Sequence, residues 1–357
     1  MPPCGLQMGT NEAGIRVIGC AVAVAALVLY PDVAPADQGG SSFWFPGQFA
    51  SFVAVQQTPG WTLSAIYYHS SVAAAGSTAA AREILVGKIP ATVSVNLNLA
   101  LSGRADLVGL APSYTFATPV LGGQLVAGVA GQFGRASANI SGTLTAIAGP
   151  IVATRSGTLE GALTSYGDLA PFAQLLWKND VNNYMAYVTG NVPVGDYDPL
   201  RLPNIGLGHA AIDAGGGYTY FNEATGNEFS GVAGLTYNFP NPDTHYRSGI
   251  DFHFDWGASH FLSKQLFVGM AGYAYQQITD DSGQNPILGG FRSRTFGVGP
   301  QIGYNFPVGD MQGALSLRGY GEFGAANRPS GWNAWLTFTV SPAAAAATVP
   351  RKHVVAR

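Results

Sequence analysis

The sequence predicts an all-β protein, an antiparallel transmembrane β-barrel of 12 to 14 strands that spans a bacterial outer membrane. Three observations support this prediction. Long stretches alternate apolar and polar residues with the period of two that a β-strand has. Only 10% of the 357 residues are charged, although 47% are hydrophobic. The connections between candidate strands are alternately short and long, and outer-membrane barrels have short periplasmic turns and long extracellular loops.

The amino terminus has the features of a cleaved export signal, expected over residues 1–36. Arg16 precedes an apolar run from Val17 to Tyr30, and Ala34-Pro35-Ala36 offers the small residues of a cleavage site. The run is shorter than the roughly 20 residues of a spanning helix. A membrane anchor is one alternative; a lipoprotein signal ending at Cys20 is another, disfavoured because Cys20 lies near the start of the apolar run. Cys4 and Cys20 would leave with the signal, so the exported chain would contain no thiol.

Residues 37–60 are predicted to be an N-terminal segment with two alternative placements. The segment contains Phe43-Trp44-Phe45 followed by Pro46-Gly47. It could supply a first strand over residues 49–57, or it could enter the barrel as a plug. Our hypothesis is that residues 43–57 lie in the lumen and that solutes pass around them or through a lateral opening.

The barrel is predicted over residues 61–340, and thirteen candidate strands can be recognised there. They are 61–72, 92–102, 108–117, 123–139, 168–177, 182–192, 209–221, 228–239, 249–262, 265–278, 295–306, 312–323 and 332–340. A single-chain bacterial barrel has an even number of strands. Either residues 49–57 add a fourteenth strand, or one N-terminal strand is false.

Long and short connections alternate along this barrel. The long ones are 140–167, 193–207, 240–248, 279–292 and 324–331, and the short ones are 119–122, 178–181, 222–227, 263–264 and 307–310. This alternation places the short connections on the periplasmic rim and the long ones outside the cell. After residue 340, an Ala-rich and then basic tail, 341–357, is expected to be disordered.

Two strands show the alternation most clearly. Over residues 92–102, five aliphatic residues alternate with Asn, Ser and Thr, which is typical of a strand between lipid and a hydrated lumen. Over residues 250–256, Ile, Phe and Trp alternate with Asp251, His253 and Asp255. In a barrel the apolar face meets lipid, so the ionisable face is predicted to line the lumen.

Other strands contribute ionisable and aromatic side chains to the predicted lumen. The candidate lumen-lining residues are Asp251, His253, Asp255, Arg318, Glu322, Tyr273, Tyr275 and Tyr187. We expect their opposite charges to brace the wall, and solute binding or gating is the alternative.

Six motifs in the second half of the chain occur in a recognisable order. They are Gly167-Asp168-Leu169 with Pro171 and Trp177, Pro193-Val194-Gly195-Asp196-Tyr197-Asp198-Pro199-Leu200-Arg201 with Asn204, Asn241-Pro242-Asp243-Thr244 with Tyr246-Arg247-Ser248-Gly249, Gly272-Tyr273-Ala274-Tyr275-Gln276-Gln277, Thr279-Asp280-Asp281-Ser282-Gly283, and Glu322-Phe323-Gly324-Ala325 with Asn327-Arg328-Pro329. Over residues 166–338 the chain resembles the meta-pathway phenol-degradation protein family. The resemblance implies an outer-membrane barrel similar to the hydrophobic-compound channels of the long-chain fatty acid transporter type. It also implies transport of aromatic or other hydrophobic compounds.

The motifs fall mainly on the long connections, which places their charges at the predicted outer mouth. The candidate outer-mouth residues are Asp196, Asp198, Arg201, Asp243, Arg247, Asp280, Asp281, Asn327 and Arg328. They could brace turns or select solutes. Calcium binding is a third interpretation, but the spacing of an EF-hand is not present.

A passive channel for small hydrophobic or aromatic compounds is therefore the expected function. The alternative is a structural or adhesive barrel with a blocked lumen. An enzyme is disfavoured because Asp251 and Asp255 flank His253 on one strand and no G-x-S-x-G turn occurs. No cofactor or metal site is predicted. The expected partners are outer-membrane lipid, the solute and, during biogenesis, the barrel-assembly machinery; a net charge of -3 gives no indication of nucleic-acid binding.

Overall fold

The computed structural model describes residues 42–75, 93–148, 151–283 and 292–343, which form fourteen β-strands. The strands are β1 (Gly60–Ala75), β2 (Val93–Thr115), β3 (Gln124–Ala148), β4 (Ile151–Asn179), β5 (Asn182–Asn191), β6 (Ala211–Asn222), β7 (Asn227–Asn238), β8 (Tyr246–Arg247), β9 (Asp251–Phe261), β10 (Leu266–Gln277), β11 (Ser282–Gly283), β12 (Arg294–Val308), β13 (Met311–Ala326) and β14 (Ser330–Pro342). Within these residues, no helix has the length and apolar character needed to cross a membrane.

Twelve of these strands form one closed antiparallel barrel, which confirms the predicted fold class. Each barrel strand pairs with its neighbours along the chain, and β1 closes the barrel by pairing with β14 from Leu63↔Val340 to Ala73↔Ser330. The two-residue strands β8 and β11 pair with each other outside the barrel. Closure leaves no edge strand, so every barrel strand has hydrogen-bonded neighbours on both sides.

The strand count corrects the first half of the prediction. Candidate strands 92–102 and 108–117 are one strand, β2, which pairs with β3 from Val93↔Ala148 to Thr115↔Val126. Residues 49–57 contain no strand. Gly103, Arg104 and Asp106 interrupt the apolar alternation of β2, but backbone pairing does not depend on side-chain polarity, so the strand continues through them.

The predicted long connection 140–167 is also wrong. Its residues continue β3 and β4, which pair up to Ala148↔Ile151. The small and hydroxyl-bearing residues there carry no apolar pattern, but they pair across the strands, as Thr143 and Ser156 do with 3.0 Å between their hydroxyl oxygens. Residues 93–105, 135–148 and 151–165 thus form a three-stranded sheet that we call the outer extension.

The two rims of the barrel differ in the length of their connections. Residues 116–123, 180–181, 223–226, 262–265 and 309–310 join strands on one rim, whereas residues 192–210, 239–250 and 278–293 join them on the other. The predicted long connection 324–331 on that second rim is wrong, because β13 continues to Ala326 and β14 begins at Ser330. Strand β1 begins and β14 ends on the short-turn rim. The short-turn rim is therefore periplasmic, and the outer extension projects from the opposite rim.

Side chains sort by direction as they do in a membrane barrel. Leu63, Val298 and Leu317 point outward and are exposed, whereas Ser230 and Thr236 point inward and are fully buried. This distribution is the reverse of that in a soluble sandwich, because lipid replaces water around the outer wall.

In the outer extension, side chains do not point in the directions that the sequence predicts. Leu101 shares its face with Leu107, which points into the barrel and is 6% exposed, whereas Arg104 and Asp106 point outward. The expectation that the aliphatic residues of this strand meet lipid is therefore wrong at Leu101. The side chains of residues 93–99 lie outside the described set. Leu101 lies three residues beyond Arg104, which is level with the exposed Trp332 at the outer edge of the barrel. Outward side chains at that height need not be apolar, because they no longer contact lipid.

Glycine allows close approach of two barrel strands at one inward position. A Cβ at Gly299 of β12 would lie 1.8 Å from the carbonyl oxygen of Gly319 on β13, whereas a Cβ at Gly321, also on β13, would meet no atom within 4 Å. We expect Gly299→Ala to lower the free energy of unfolding by roughly 1–3 kcal/mol, as overpacking does, and Gly321→Ala to leave it unchanged. Urea titration of the refolded barrel, followed by its heat-modifiable gel mobility, measures both; equal midpoints for the two variants would contradict the account.

Candidate functional site

The lumen contains the stretch that precedes β1, residues 42–57, which we call the lumen segment. Trp44 and Ala54 are buried at 1% and 0% exposure. The Trp44 ring stacks on His253 of β9 with 3.5 Å between ring centroids, and Phe52 lies edge-on to Phe267 of β10 at 5.1 Å. The segment therefore fills the interior of the barrel with aromatic contacts at successive depths.

A tight turn at Pro46 and Gly47 shapes this segment. Gln48 N donates to the carbonyl oxygen of Phe45 at 3.0 Å, and Gly47 has a φ of +83°. A Cβ at Gly47 would lie 2.9 Å from carbon atoms of both Tyr273 and Tyr320. Only glycine combines this backbone conformation with this closeness to the tyrosine rings.

Charged side chains of the barrel bind the main chain of the lumen segment. The Asp255 carboxylate accepts from Gly47 N at 3.0 Å and from Phe49 N at 3.2 Å. Arg318 donates to the carbonyl oxygens of Gly47 at 3.2 Å and of Gln48 at 2.8 Å. Because Asp255 is 1% exposed, the segment supplies the hydrogen bonds that this carboxylate requires away from bulk water.

Further polar contacts anchor the segment towards the periplasmic rim. Phe52 N donates to Glu228 Oε1 at 3.0 Å, and Ala54 N donates to Thr219 Oγ1 at 3.1 Å. Gln57 N donates to the Gln124 side chain at 2.8 Å. Because these barrel side chains bind backbone amides, they fix the path of the segment whatever its side chains are.

A buried histidine and aspartate lie beneath Trp44. His253 Nε2 is 2.9 Å from Asp213 Oδ2, and both side chains are fully buried. Tyr187 OH is 3.3 Å from the same histidine nitrogen, and Thr236 donates to the same carboxylate at 2.5 Å. The aromatic stacking and burial of His253 make this cluster part of the packed wall rather than an exposed base.

Sequence reasoning missed Asp213. The carboxylates on the histidine's own strand were considered as its partners, but the one that reaches it comes from β6 across the intervening β7. Asp213 has the inward parity of its strand, alternating with outward Ile212 and Ala214. That parity was the signal available in the sequence, but the pairing with His253 required knowledge of strand order.

The remaining candidate lumen residues also point inward but form separate groups. Tyr273 donates to Glu322 at 2.8 Å and accepts from Asn333 at 2.9 Å. Near the outer end, Asp251 accepts from Asn238 at 2.9 Å, and the Arg328 guanidinium lies 5.1 Å from the centre of the buried Tyr275 ring. The structure thus brings Asp255 and Arg318 together around Gly47 and keeps Asp251 and Tyr275 apart from them.

Most of the candidate outer-mouth residues lie in or beside the long connections and form local pairs, whereas Asn327 and Arg328 lie in the short connection between β13 and β14. Arg201 donates to Asp196 at 2.7 Å, and this hydrogen bond lowers the pKa of the Asp196 carboxyl. Arg292 pairs with Asp280 at 2.7 Å, a partner that the sequence did not suggest. Other local contacts are Asp198 with Leu200 N, the amide N–H of Asp243 with the Asn241 side chain, Asp281 with Tyr246 OH and Gly249 N, Arg247 with Tyr237 OH, and Asn327 with the Arg292 carbonyl. In the described part of the chain, no group of three or more His, Cys, Asp or Glu residues is arranged to hold a metal ion.

The lumen contains an apolar strip on one side. On the β2–β5 side, Leu107, Val126, Leu176 and Met185 are buried apolar residues, and they lie on the same strands as the buried polar residues Ser113, Thr115 and Asn183. The opposite side carries buried polar residues: Thr219, Ser230, Thr236, Gln277, Thr295 and Gln301. The polar anchors of the lumen segment lie mostly on this opposite side, whereas its Phe49 and Val53 pack against the apolar side.

The apolar side continues beyond the membrane-spanning wall. By the alternation of side chains, Leu101 of β2 and its partner Ile140 of β3 lie on the same face as Leu107. Leu159 of β4 pairs with Ile140 and extends this face. The inner face of the outer extension therefore joins the apolar side of the lumen.

These features define the protein as an outer-membrane β-barrel. Residues 88–338 match the family described as "Putative MetA-pathway of phenol degradation", and the chain belongs to that family, which confirms the predicted resemblance. No curated protein sequence matches the chain.

A solved structure shares the barrel fold. An outer membrane channel from Pseudomonas putida F1 is similar with a TM-score of 0.57 and 13% identity, over 81% of this chain and 98% of that chain. A FadL homologue from Pseudomonas aeruginosa gives a TM-score of 0.38 and 11% identity, over 87% of this chain and 98% of that chain. At these identities the first comparison supports the fold alone.

Removing the Asp255 carboxylate tests how the lumen segment is held. We expect Asp255→Ala to weaken the segment's attachment because two backbone donors lose their acceptor, at about 1.5–3 kcal/mol for a hydrogen bond to a charged group. In a background carrying Ala54→Cys, maleimide labelling should become at least about tenfold faster. Asp251→Ala, on the same strand but bonded to Asn238, is the matched control and should label at the parent rate. Equal rates for the two variants would contradict the assignment.

Proposed function

We propose that the protein is an outer-membrane channel through which small hydrophobic or aromatic compounds enter by passive diffusion. The observation that carries the proposal is the apolar surface that runs from the inner face of the outer extension into the lumen. Membership of the phenol-degradation family and the shared fold with an outer membrane channel support it.

The division of the lumen offers such compounds a path. A hydrophobic solute gains free energy on leaving water, by about 25 cal/mol for each Å² of apolar area buried. Leu101, Ile140 and Leu159 present apolar area outside the membrane, and Leu107 and Val126 continue it inward. Of the polar residues opposite, Thr219, Ser230, Thr236, Gln277 and Gln301 have hydrogen-bonded partners and need not take part.

In this proposal, residues 1–36 are the export signal of the protein, and the lumen segment acts as a plug. Its hydrogen-bonded anchors involve Asp255, Arg318 and Glu228, whereas Phe49 and Val53 face the apolar side. Displacing the apolar side of the segment breaks packing contacts but leaves most of these hydrogen bonds intact. A hydrophobic solute can therefore displace the apolar side of the plug while the plug stays bound in the barrel.

The candidate lumen residues then have a positioning role and no catalytic one. Asp255 and Arg318 hold the plug, His253 supports Trp44, and Tyr187 and Tyr273 complete the wall around them. The local pairing of the outer-mouth residues favours bracing of the loops over solute selection.

A structural barrel with a blocked lumen is the second candidate, and the occupied lumen favours it. The two candidates differ in whether solute and ions can pass the segment.

Deletion of residues 41–57 tests the plug directly. We expect the refolded variant to show a larger single-channel conductance in a planar bilayer than the parent protein, because the deletion removes the aromatic and backbone atoms that fill the lumen. Heat-modifiable gel mobility identifies the folded variant. If that folded variant conducts no more than the parent protein, the plug assignment is contradicted.

Substitution of the apolar side tests the solute path. Leu107→Asn should raise the benzoate concentration that halves the open-channel current by roughly three- to tenfold, because it removes part of the apolar contact that a buried leucine offers. Thr295→Asn, an inward position on the polar side, is the control and should leave that concentration unchanged. If the parent protein neither conducts nor binds an aromatic solute, the structural candidate replaces the channel.

A further inference from the structure

An unusual charged cluster lies on the outward, lipid-facing side of β1–β3. Arg104 and Asp106 of β2 share a face with Val108, which is 48% exposed, and Arg135 of β3 shares a face with Phe133, which is 56% exposed. Barrel walls disfavour charge on this face in the bilayer midplane by about 2–4 kcal/mol for an arginine, and far less near the interfaces. The depth of the cluster in the membrane therefore decides whether its charges destabilise the barrel or lie among polar lipid groups.

The cluster lies at the outer edge of the apolar band. Trp61 and Tyr114 form an aromatic contact near the periplasmic rim, and Asp106 is eight residues nearer the outer rim (114 minus 106). At about 3.3 Å per residue and a tilt of roughly 40°, this is about 20 Å of height, close to the roughly 25 Å of an apolar band. Trp332 and Tyr166, both exposed, mark the same edge on β14 and β4.

The two arginines are available to an anion, whereas the aspartate is already bonded. Asp106 Oδ1 accepts from Tyr67 OH at 2.6 Å and lies 2.7 Å from His69 Nδ1, both on β1. Within the described residues, Arg104 makes no hydrogen bond or ion pair, and Arg135 makes only a 3.5 Å contact with the Thr164 hydroxyl.

The strand register places the two arginines side by side. Ser137 lies opposite Arg104, and Arg135 lies opposite Asp106. Arg104 and Arg135 are thus diagonal neighbours on one face, with backbones about 7–8 Å apart. Two guanidinium groups at this spacing can both reach one phosphate, and the planar guanidinium binds phosphate through paired N–H donors.

Above the arginines, the same face carries rows of hydroxyl and amide groups. Asn139 donates to Glu160 at 2.6 Å, and further out the hydroxyls of Thr145 and Thr154 are 3.3 Å apart. These positions are exposed or half-exposed on the outer extension, and apart from the Glu160 carboxylate they offer uncharged donors and acceptors. Such a surface suits the hydroxyl groups of sugars.

We propose that this face binds the phosphorylated glycolipid of the outer leaflet. From the membrane outward, the apolar belt, the arginine pair and the hydroxyl rows follow the same order as the acyl chains, phosphates and sugars of such a lipid. The inference depends on the outer-membrane location and is independent of the transport proposal.

Lipid binding by the refolded full chain tests it, with diphosphoryl lipid A as the probe and native mass spectrometry as the readout. We expect R104Q/R135Q to bind roughly 100-fold more weakly than the parent, at about tenfold for each lost charge-assisted contact. Lys264→Gln removes one positive charge from the periplasmic rim and should bind as the parent does. An unchanged affinity of the double variant would overturn the proposal.

Two further binding experiments use the parent protein alone, so they test the glycolipid proposal even if the double variant does not fold. Dephosphorylated lipid A should bind much more weakly than the diphosphoryl form, and equal binding would overturn the role of the arginine pair. A large excess of inorganic phosphate should leave diphosphoryl lipid A bound. Its displacement by phosphate alone would identify a site for free anions and overturn the glycolipid assignment.

Discussion

The structure depends on one constraint, that every backbone N–H and C=O group inside lipid must be hydrogen-bonded within the protein. The pairing of β1 with β14 satisfies it by leaving the barrel without an edge. Closure has two consequences here. An even number of antiparallel strands brings the start of β1 and the end of β14 to the same rim, and the chain that precedes β1 is at the mouth of the lumen as soon as the barrel has formed.

Closure also fixes what the lumen must contain. With lipid outside, the polar face of each strand turns inward, and the charges on it need partners away from bulk water. The backbone of residues 42–57 supplies many of them, because Asp255, Arg318 and Glu228 all bind its amides or carbonyls. The lumen segment and the inward charges therefore stabilise each other, because each would contain buried polar groups without hydrogen bonds if the other were absent.

The two sides of the lumen make different contacts with the lumen segment. The β6–β13 side holds the segment with most of its hydrogen bonds and with charge, and the apolar strip on the β2–β5 side continues into the outer extension. In the proposed channel, a hydrophobic solute would meet the apolar surface of the outer extension first and then the side of the segment that is held mainly by packing. The outward face of the same extension is polar, so the two faces of one three-stranded sheet carry the proposed solute path and the proposed glycolipid contact.

The sequence by itself determined the fold class, the family and the inward parity of Asp251, His253 and Asp255, because a period of two is a local property that can be recognised in one strand. Tertiary structure decided what depends on strand partners. It merged residues 93–115 into one strand, extended β3 and β4 through residues 140–165, brought Asp213 to His253 and placed Gly47 between Asp255 and Arg318. Backbone pairing does not require apolar side chains, and contacts across a barrel join residues about 200 apart in the chain, so no local pattern records them.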